Sequence, residues 1–268
     1  MTTLRDRAAT ELRAIVDQYA AGEAEVARSF LSRPHTTEEN VDVLLRQMGR
    51  ELQTAHWLHR AVAMLDELDT TVDRHSFAEF LEQIAEETEH YVILADLADW
   101  ASGRKLTSEE LHRYQVYARV ELNLPPDKFF NPLLPDGNKM VEIARLVVDT
   151  LGYERGTELV RMSEGGGGGA FIECARAGGD PFQDRLAAAM RRILKDEIKH
   201  GPDRVDGFAE HWVRSEQELE ESTRWLRTFM AQHLRVRNEI WAYPLSDERM
   251  VAIDRGETAP FDPAIDLT

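Results

Sequence analysis

Residues 86–90 read EETEH, and residues 196–200 read DEIKH. In each stretch a glutamate is followed three residues later by a histidine, and residues at this spacing lie on the same face of an α-helix. The two pairs are Glu87 with His90 and Glu197 with His200. The same spacing occurs a third time, at Glu109, whereas about one occurrence is expected by chance from the numbers of glutamates and histidines. A metal-binding interpretation therefore needs support from the rest of the chain.

The rest of the chain has the apolar spacing of α-helices, and no alternating strand pattern is convincing. The predicted helices run from about Thr3 to Leu31, Glu38 to Leu68, Ser76 to Ala101, Lys139 to Ala177 and Phe182 to Trp241. A short helix is expected after Thr107, within the long connection between the third and fourth helices. Gly152 is expected to interrupt the fourth helix, and Gly201-Pro202 to kink the fifth, because proline lacks the backbone N–H. The tail from Ser246 is predicted to be irregular.

These helices predict an all-α protein with a single domain over residues 1–268, since no linker long enough to separate domains interrupts the pattern. Four of the helices would form two antiparallel hairpins joined by a long crossover, which is a known connectivity of four-helix bundles. The metal-binding bundle would occupy about residues 38–101 and 139–241. We expect the first helix to be an addition to this bundle.

The first hairpin places two acidic residues at the same level. Its turn is centred near Thr70-Thr71, with Glu51 about 19 residues before it and Glu87 about 17 residues after it. Residues that lie equally far from the turn face each other in an antiparallel hairpin. Glu51 is therefore predicted to join Glu87 and His90 at one metal.

The second hairpin turns near Gly179, and Glu197 lies about 18 residues beyond it. Glu164 lies about 15 residues before this turn, whereas Glu173 lies only about 6 before it. At a rise of 1.5 Å per residue, Glu173 would miss the level of Glu197 by roughly 18 Å, and Glu164 by about one helical turn. Glu164 is therefore the candidate ligand, and Glu173 is expected to have a packing or surface role.

Glu164 is followed directly by five glycines in SEGGGGGAFIECARAGGD, residues 163–180. A glycine costs about 1 kcal/mol relative to alanine inside a helix, so such a run resembles a linker. The flanking sequences are nevertheless typical of a helix. We predict that the run continues the helix and that its small residues leave space beside the metals.

The third E-x-x-H sequence, Glu109 with His112, is not expected to bind a metal. It follows Thr107 and Ser108 in a short polar segment, and TSEE is typical of a helix N-terminus. It also lacks a hairpin partner at a comparable distance.

The six remaining candidates together resemble the ligand set of the ferritin-like di-iron carboxylate superfamily. They are Glu51, Glu87, His90, Glu164, Glu197 and His200. This superfamily includes bacterial multicomponent monooxygenases, the small subunits of ribonucleotide reductase, rubrerythrins and ferritins. The likeness covers about residues 38–101 and 139–212.

The resemblance also implies a role for the residues that precede the two E-x-x-H glutamates. In the oxygenase and reductase branches an acidic residue at this place hydrogen-bonds a ligand histidine of the opposite helix, which fixes its tautomer and raises its basicity. The corresponding residues here are Glu86 and Asp196. Aspartate is the commoner residue at the place that Glu86 occupies.

This resemblance implies a non-haem di-iron oxygenase or oxidase that uses O2 to hydroxylate, N-oxygenate, desaturate or cleave a small organic substrate. Two Fe ions are expected, with Mn/Fe and Mn/Mn as alternatives. Small residues one turn after Glu51 and Glu164 would leave room for the substrate, namely Thr54, Ala55, Gly167 and Gly168. The alternatives are a ferroxidase or iron-storage protein, a peroxidase or dimanganese catalase-like enzyme, and a helical scaffold without enzymatic activity.

Composition limits the partners and the location. The net charge of −17 opposes binding to nucleic acid or to an anionic membrane. The sequence has no run of about 20 apolar residues and no signal-peptide pattern, and Cys174 is its single cysteine, so we expect a cytoplasmic protein. A separate electron-transfer reductase would supply electrons, since no flavin or nicotinamide fingerprint occurs. A homodimer is compatible with the sequence.

Overall fold

The structure is a computed structural model that describes residues 3–51, 57–115, 130–198 and 202–267. Every regular element within these ranges is helical, as predicted for an all-α protein. The helices are α1 (Leu4–Leu31), α2 (Thr37–Glu51), α3 (Trp57–Leu65), α4 (Arg74–Ser102), α5 (Ser108–Leu111), α6 (Pro135–Leu151), α7 (Tyr153–Arg176), α8 (Pro181–Glu197), α9 (Pro202–Trp212), α10 (Glu216–Ile240) and α11 (Asp247–Asp254). Among these described helices, none is both long and apolar enough to cross a membrane.

Contacts between the helices divide the chain into two compact units. The terminal unit consists of Met1–Pro34 and Leu134–Thr268, and the inserted unit consists of His35–Leu133. The expectation of one domain over the whole chain stays a prediction.

The terminal unit is built around α7, which packs against α1, α6, α8, α9 and α10. Its most extensive contact is with α1, whose apolar side is fully buried at Leu12, Ile15 and Phe30. The contact between α7 and α8 matches the second predicted hairpin. The first helix is not an appendage, because it forms a large part of the core of this unit.

The glycine run lies inside α7, so the prediction that it continues the helix is confirmed. A Cβ atom built on Gly169 would lie 2.0 Å from the backbone oxygen of Ala20 in α1. At Gly168 the nearest atom to such a Cβ is Ile172 Cδ1, at 3.9 Å. Gly169 therefore allows two helix backbones to touch, which is a packing reason for a glycine that the sequence pattern does not reveal.

The inserted unit is held together chiefly by the packing of α2 against α4, which is the pairing predicted for the first hairpin. The side chain of Asp73 caps the start of α4 by accepting two backbone hydrogen bonds. Gly103 ends the helix in the left-handed conformation, with φ of 70°. The hydroxyl of Tyr114 donates a hydrogen bond to Asp42 and so attaches the segment after α5 to α2.

Three predicted boundaries differ from the structure. The second helix was predicted to reach Leu68, but α3 ends at Leu65 before a turn in which Asp69 has φ of 62°. The fourth was predicted to begin near Lys139, but α6 begins at Pro135. The fifth has an unpredicted break between Trp212 and Ser215, whose hydroxyl caps α10. The predicted kink at Gly201-Pro202 stays a prediction, because residues 199–201 lie outside the described residues.

The tail is not irregular throughout, because it contains α11. Ser246 caps this helix by accepting a hydrogen bond from the backbone N–H of Arg249. Met250 and Ile253 are buried, and α11 contacts α1. Packing of these two apolar residues against the core stabilises α11. The helix was not predicted because a helix of only eight residues gives a weak periodic pattern.

Candidate metal centre

Glu51, Glu87 and His90 converge within the inserted unit. Each offers one possible ligand atom, and these atoms lie within 4.8 Å of one another. His90 Nδ1 is 3.9 Å from Glu51 Oε2 and 3.8 Å from Glu87 Oε2. The side chains of Glu51 and His90 are buried, and that of Glu87 is partly buried.

Two features of the sequence bring these side chains together. Glu87 and His90 share one face of α4 because they are three residues apart. Glu51 is the last described residue of α2, which packs against α4. The prediction that the first hairpin unites these three residues is therefore confirmed.

Gln47 is a fourth member of this cluster, and the sequence reasoning missed it. It lies one helical turn before Glu51, is only 4% exposed, and donates a hydrogen bond from Nε2 to Glu51 Oε1. Its spacing of four residues from a candidate ligand was a usable signal, because glutamine and glutamate at this spacing can hydrogen-bond on a helix.

The chemistry of these groups fits a metal ion. Two carboxylates at this separation repel each other when both are ionised, and burial increases the free-energy cost of each charge. A cation between them would offset both effects. Carboxylate oxygens together with an imidazole nitrogen suit iron and manganese and can also hold zinc.

The second predicted half of the site is only partly described. Glu197 is the last residue of α8, and both it and Asp196 are partly buried. Glu164 belongs to the helical backbone of α7, but its side chain lies outside the described residues, as does His200 as a whole. The metal-binding roles of Glu164, Glu197 and His200 stay predictions.

The roles of the residues predicted to assist the site also stay predictions. Glu86 lies in α4 and is partly buried, and its proposed contact with a ligand histidine stays a prediction, as does that of Asp196. Thr54 and Ala55 lie outside the described residues. Gly167 and Gly168 belong to α7, and their role in shaping a cavity is also a prediction.

The structure explains the two acidic residues that were set aside. Glu173 forms an ion pair with Arg28 of α1, with 2.7 Å between Oε1 and Nη2. Glu109 is exposed on α5, where Thr107 and Glu110 form a capping box. Glu173 therefore has a packing role, as expected, and Glu109 lies at the surface near a helix N-terminus.

Cys174 is buried beside Glu173 in α7. Burial, and to a smaller extent the charge of Glu173, raises the pKa of the Cys174 thiol. A raised pKa favours the protonated thiol, which is a poor nucleophile and is typical of a buried structural cysteine.

Comparison of the chain with family models, curated proteins and solved structures finds no match. The fold and the site thus define an all-α protein with a candidate Glu-Glu-His metal centre. Any more specific assignment depends on the geometry of this centre and on the sequence pattern around it.

Proposed function

We propose that this protein is a di-iron oxidoreductase that uses O2 to oxidise a small organic molecule. The observation that carries the proposal is the buried convergence of Glu51, Glu87 and His90 on two packed helices. These residues would hold the first ion. Glu164, Glu197 and His200 would hold the second, an assignment that depends on their spacing in the sequence.

The protein side chains would bind, orient and protect the ions. Glu51 and His90 are buried, so an ion bound to them would be shielded from water. When bound, two ferrous ions can supply the electrons that reduce O2. Glu86 and Asp196 would orient the ligand histidines by hydrogen bonds, in the way described for carboxylates behind metal-bound histidines.

The oxidation of an organic substrate is preferred to iron storage because the proposed ligands are followed by small residues. Gly167 and Gly168 would leave room on the side of Glu164, and Thr54 and Ala55 on the side of Glu51. Gly169 does not contribute to this argument, since it packs against Ala20. We further propose a separate reductase as the electron donor and the cytoplasm as the location.

Metal binding by the purified full-length chain tests the proposal. Anaerobic titration of the metal-free protein with Fe(II) should give about two ions per chain, as in other bundles with this ligand pattern. Glu51→Ala and His90→Ala should lose the first ion, whereas the control Glu173→Ala should bind as the wild type does. Failure of the wild type to bind Fe(II) or Mn(II) would contradict the proposal.

The reaction with O2 separates the proposed function from iron handling. An oxidase or oxygenase should consume O2 in proportion to its bound iron and then require reductant and substrate. Repeated oxidation of excess Fe(II) with formation of a mineral would instead identify a ferroxidase.

A further inference from the structure

We propose that Gln47 is a positioning residue that selects which oxygen of Glu51 binds the metal. The inference deepens the proposed function and rests on it. Gln47 Nε2 donates a hydrogen bond to Glu51 Oε1, while Glu51 Oε2 lies 3.9 Å from His90 Nδ1. The first oxygen is thus held within α2, and the second faces the imidazole across the helix contact.

The burial of both side chains makes this hydrogen bond effective. Gln47 is 4% exposed and Glu51 is 6% exposed, so water has little access to either group. A buried carboxylate oxygen that loses its donor pays a desolvation penalty, which favours keeping the pair intact. A carboxylate can bind a cation through one oxygen or through both. With Oε1 held by the amide, Glu51 is set to bind through Oε2 alone.

The second half of the proposed site has no glutamine at the corresponding positions in the sequence. The residues four positions before Glu164 and Glu197 are Val160 and Ile193, whose hydrocarbon side chains cannot donate a hydrogen bond. The amide of Gln47 should therefore influence one of the two ions and leave the other unaffected.

Co(II) is a suitable probe because its visible absorption weakens as its coordination number rises. The metal-free full-length protein would be titrated anaerobically with Co(II) as the wild type, Gln47→Met and Gln47→Glu. Both substitutions nearly preserve the volume of the side chain. The expected result is an affinity about 10–100-fold lower for one ion only, the range typical of residues that orient metal ligands. Gln47→Met should also lower the absorption per bound Co(II), because Glu51 becomes free to bind through both oxygens.

Gln232→Leu is the matched control. Gln232 is also buried, and its Nε2 donates hydrogen bonds to Asp136 in the terminal unit. This variant should lose stability without any change in Co(II) affinity or absorption. Thermal unfolding of each metal-free variant would show whether Gln47→Met folds, and Gln47→Glu provides the test if it does not.

The outcomes distinguish the inference from the function on which it rests. If the wild type binds no Co(II), the metal site is wrong and the inference falls with it. If the wild type binds Co(II) and both Gln47 variants keep its affinity and absorption, the proposed site stands and the role of Gln47 is wrong. Equal weakening of both ions would also contradict the role proposed for Gln47.

Discussion

Two adjacent glycines in α7 have different surroundings. A Cβ on Gly169 would collide with the backbone of Ala20 in α1, whereas a Cβ on Gly168 would make only an ordinary contact with Ile172. The backbone of α1 cannot move aside as a flexible side chain can. The close packing of α1 and α7 thus requires a glycine at position 169. Position 168 has no such requirement, although its glycine still has the entropic cost of glycine in a helix.

Alanine substitutions at these two positions should have opposite effects. Gly169→Ala should destabilise the protein by about 1–3 kcal/mol, because it forces α1 and α7 apart. Gly168→Ala should stabilise it by about 0.5–1 kcal/mol, because alanine loses less backbone entropy in a helix. Chemical denaturation of the two variants and the wild type measures both changes. Stabilisation by Gly169→Ala would show that the two helices do not approach as closely as described.

In the inserted unit, the sequence predicts which candidate ligands lie close together better than it predicts the side chains around them. The hairpin spacing identified Glu51 as the partner of Glu87 and His90, because distance from the turn fixes the level of a residue in two antiparallel helices. The spacing of Gln47 from Glu51 permits a hydrogen bond between them, but periodicity alone does not distinguish a buried glutamine from one that faces solvent. Its burial and its hydrogen bond are properties of the packed helices.

Among the elements, α6 shows why a helix boundary can depend on a distant residue. The carboxylate of Glu239, in α10, accepts hydrogen bonds from the backbone N–H groups of Asp136 and Gly137 at the start of α6. No side chain caps this helix locally at Leu134. The predicted start near Lys139 was four residues late, because a cap about one hundred residues away in the sequence leaves no local signal.

Removal of this distant cap should destabilise the protein. Glu239→Ala leaves two backbone donors at the start of α6 without their acceptor, and the N–H group of Gly137 is buried. The expected loss is about 1–3 kcal/mol, the usual cost of an unsatisfied buried polar group. Denaturant unfolding at neutral pH measures this loss, and a variant as stable as the wild type would contradict the capping role.

The loss should also depend on pH. Burial raises the pKa of Glu239, although the hydrogen bonds from Asp136, Gly137 and Tyr243 partly oppose this effect. The folded protein therefore binds this proton more tightly than the unfolded chain does. Stability falls as the pH rises through the window between the ordinary glutamate pKa and the raised one, because there the folded state holds more protons. The Glu239→Ala variant lacks this pH-dependent contribution to stability. The difference in unfolding free energy between the wild type and the variant should therefore be larger below this pH window than above it.

In the whole molecule, the two ends of the chain fold together into the terminal unit. α1 contacts α7, α9, α10 and α11. Glu23 of α1 is buried, and its Oε1 lies 2.7 Å from Nδ1 of His233 in α10. The sequence predicted α1 correctly as a helix but treated it as an addition to the bundle. Amphipathic periodicity identifies the apolar face of a helix without identifying the helices that cover it.

This arrangement predicts that the terminal unit cannot fold without α1. The side chains of Leu12, Ile15, Tyr19 and Phe30 are almost completely buried. Burial of each large apolar side chain contributes about 1.5–3 kcal/mol. Their sum is comparable with the total stability of a typical domain, about 5–15 kcal/mol. Deletion of residues 1–34 also exposes the surfaces of α7 and α10 that pack against α1.

The deletion variant should therefore lose the cooperative unfolding of the terminal unit. We expect reduced near-ultraviolet circular dichroism from its tryptophans, increased binding of a hydrophobic dye and a tendency to aggregate. Deletion of residues 258–268 is the control, because this segment is non-helical where it is described. Its contacts include two hydrogen bonds that the guanidinium of Arg176 donates to the backbone oxygens of Asp262 and Ala264. That control should unfold cooperatively with only a small loss of stability. A peptide of residues 1–34 added to the first variant should restore its near-ultraviolet signal if α1 completes the core. If the variant without α1 unfolds as cooperatively as the full chain, α1 is dispensable and the packing described for α7 is wrong.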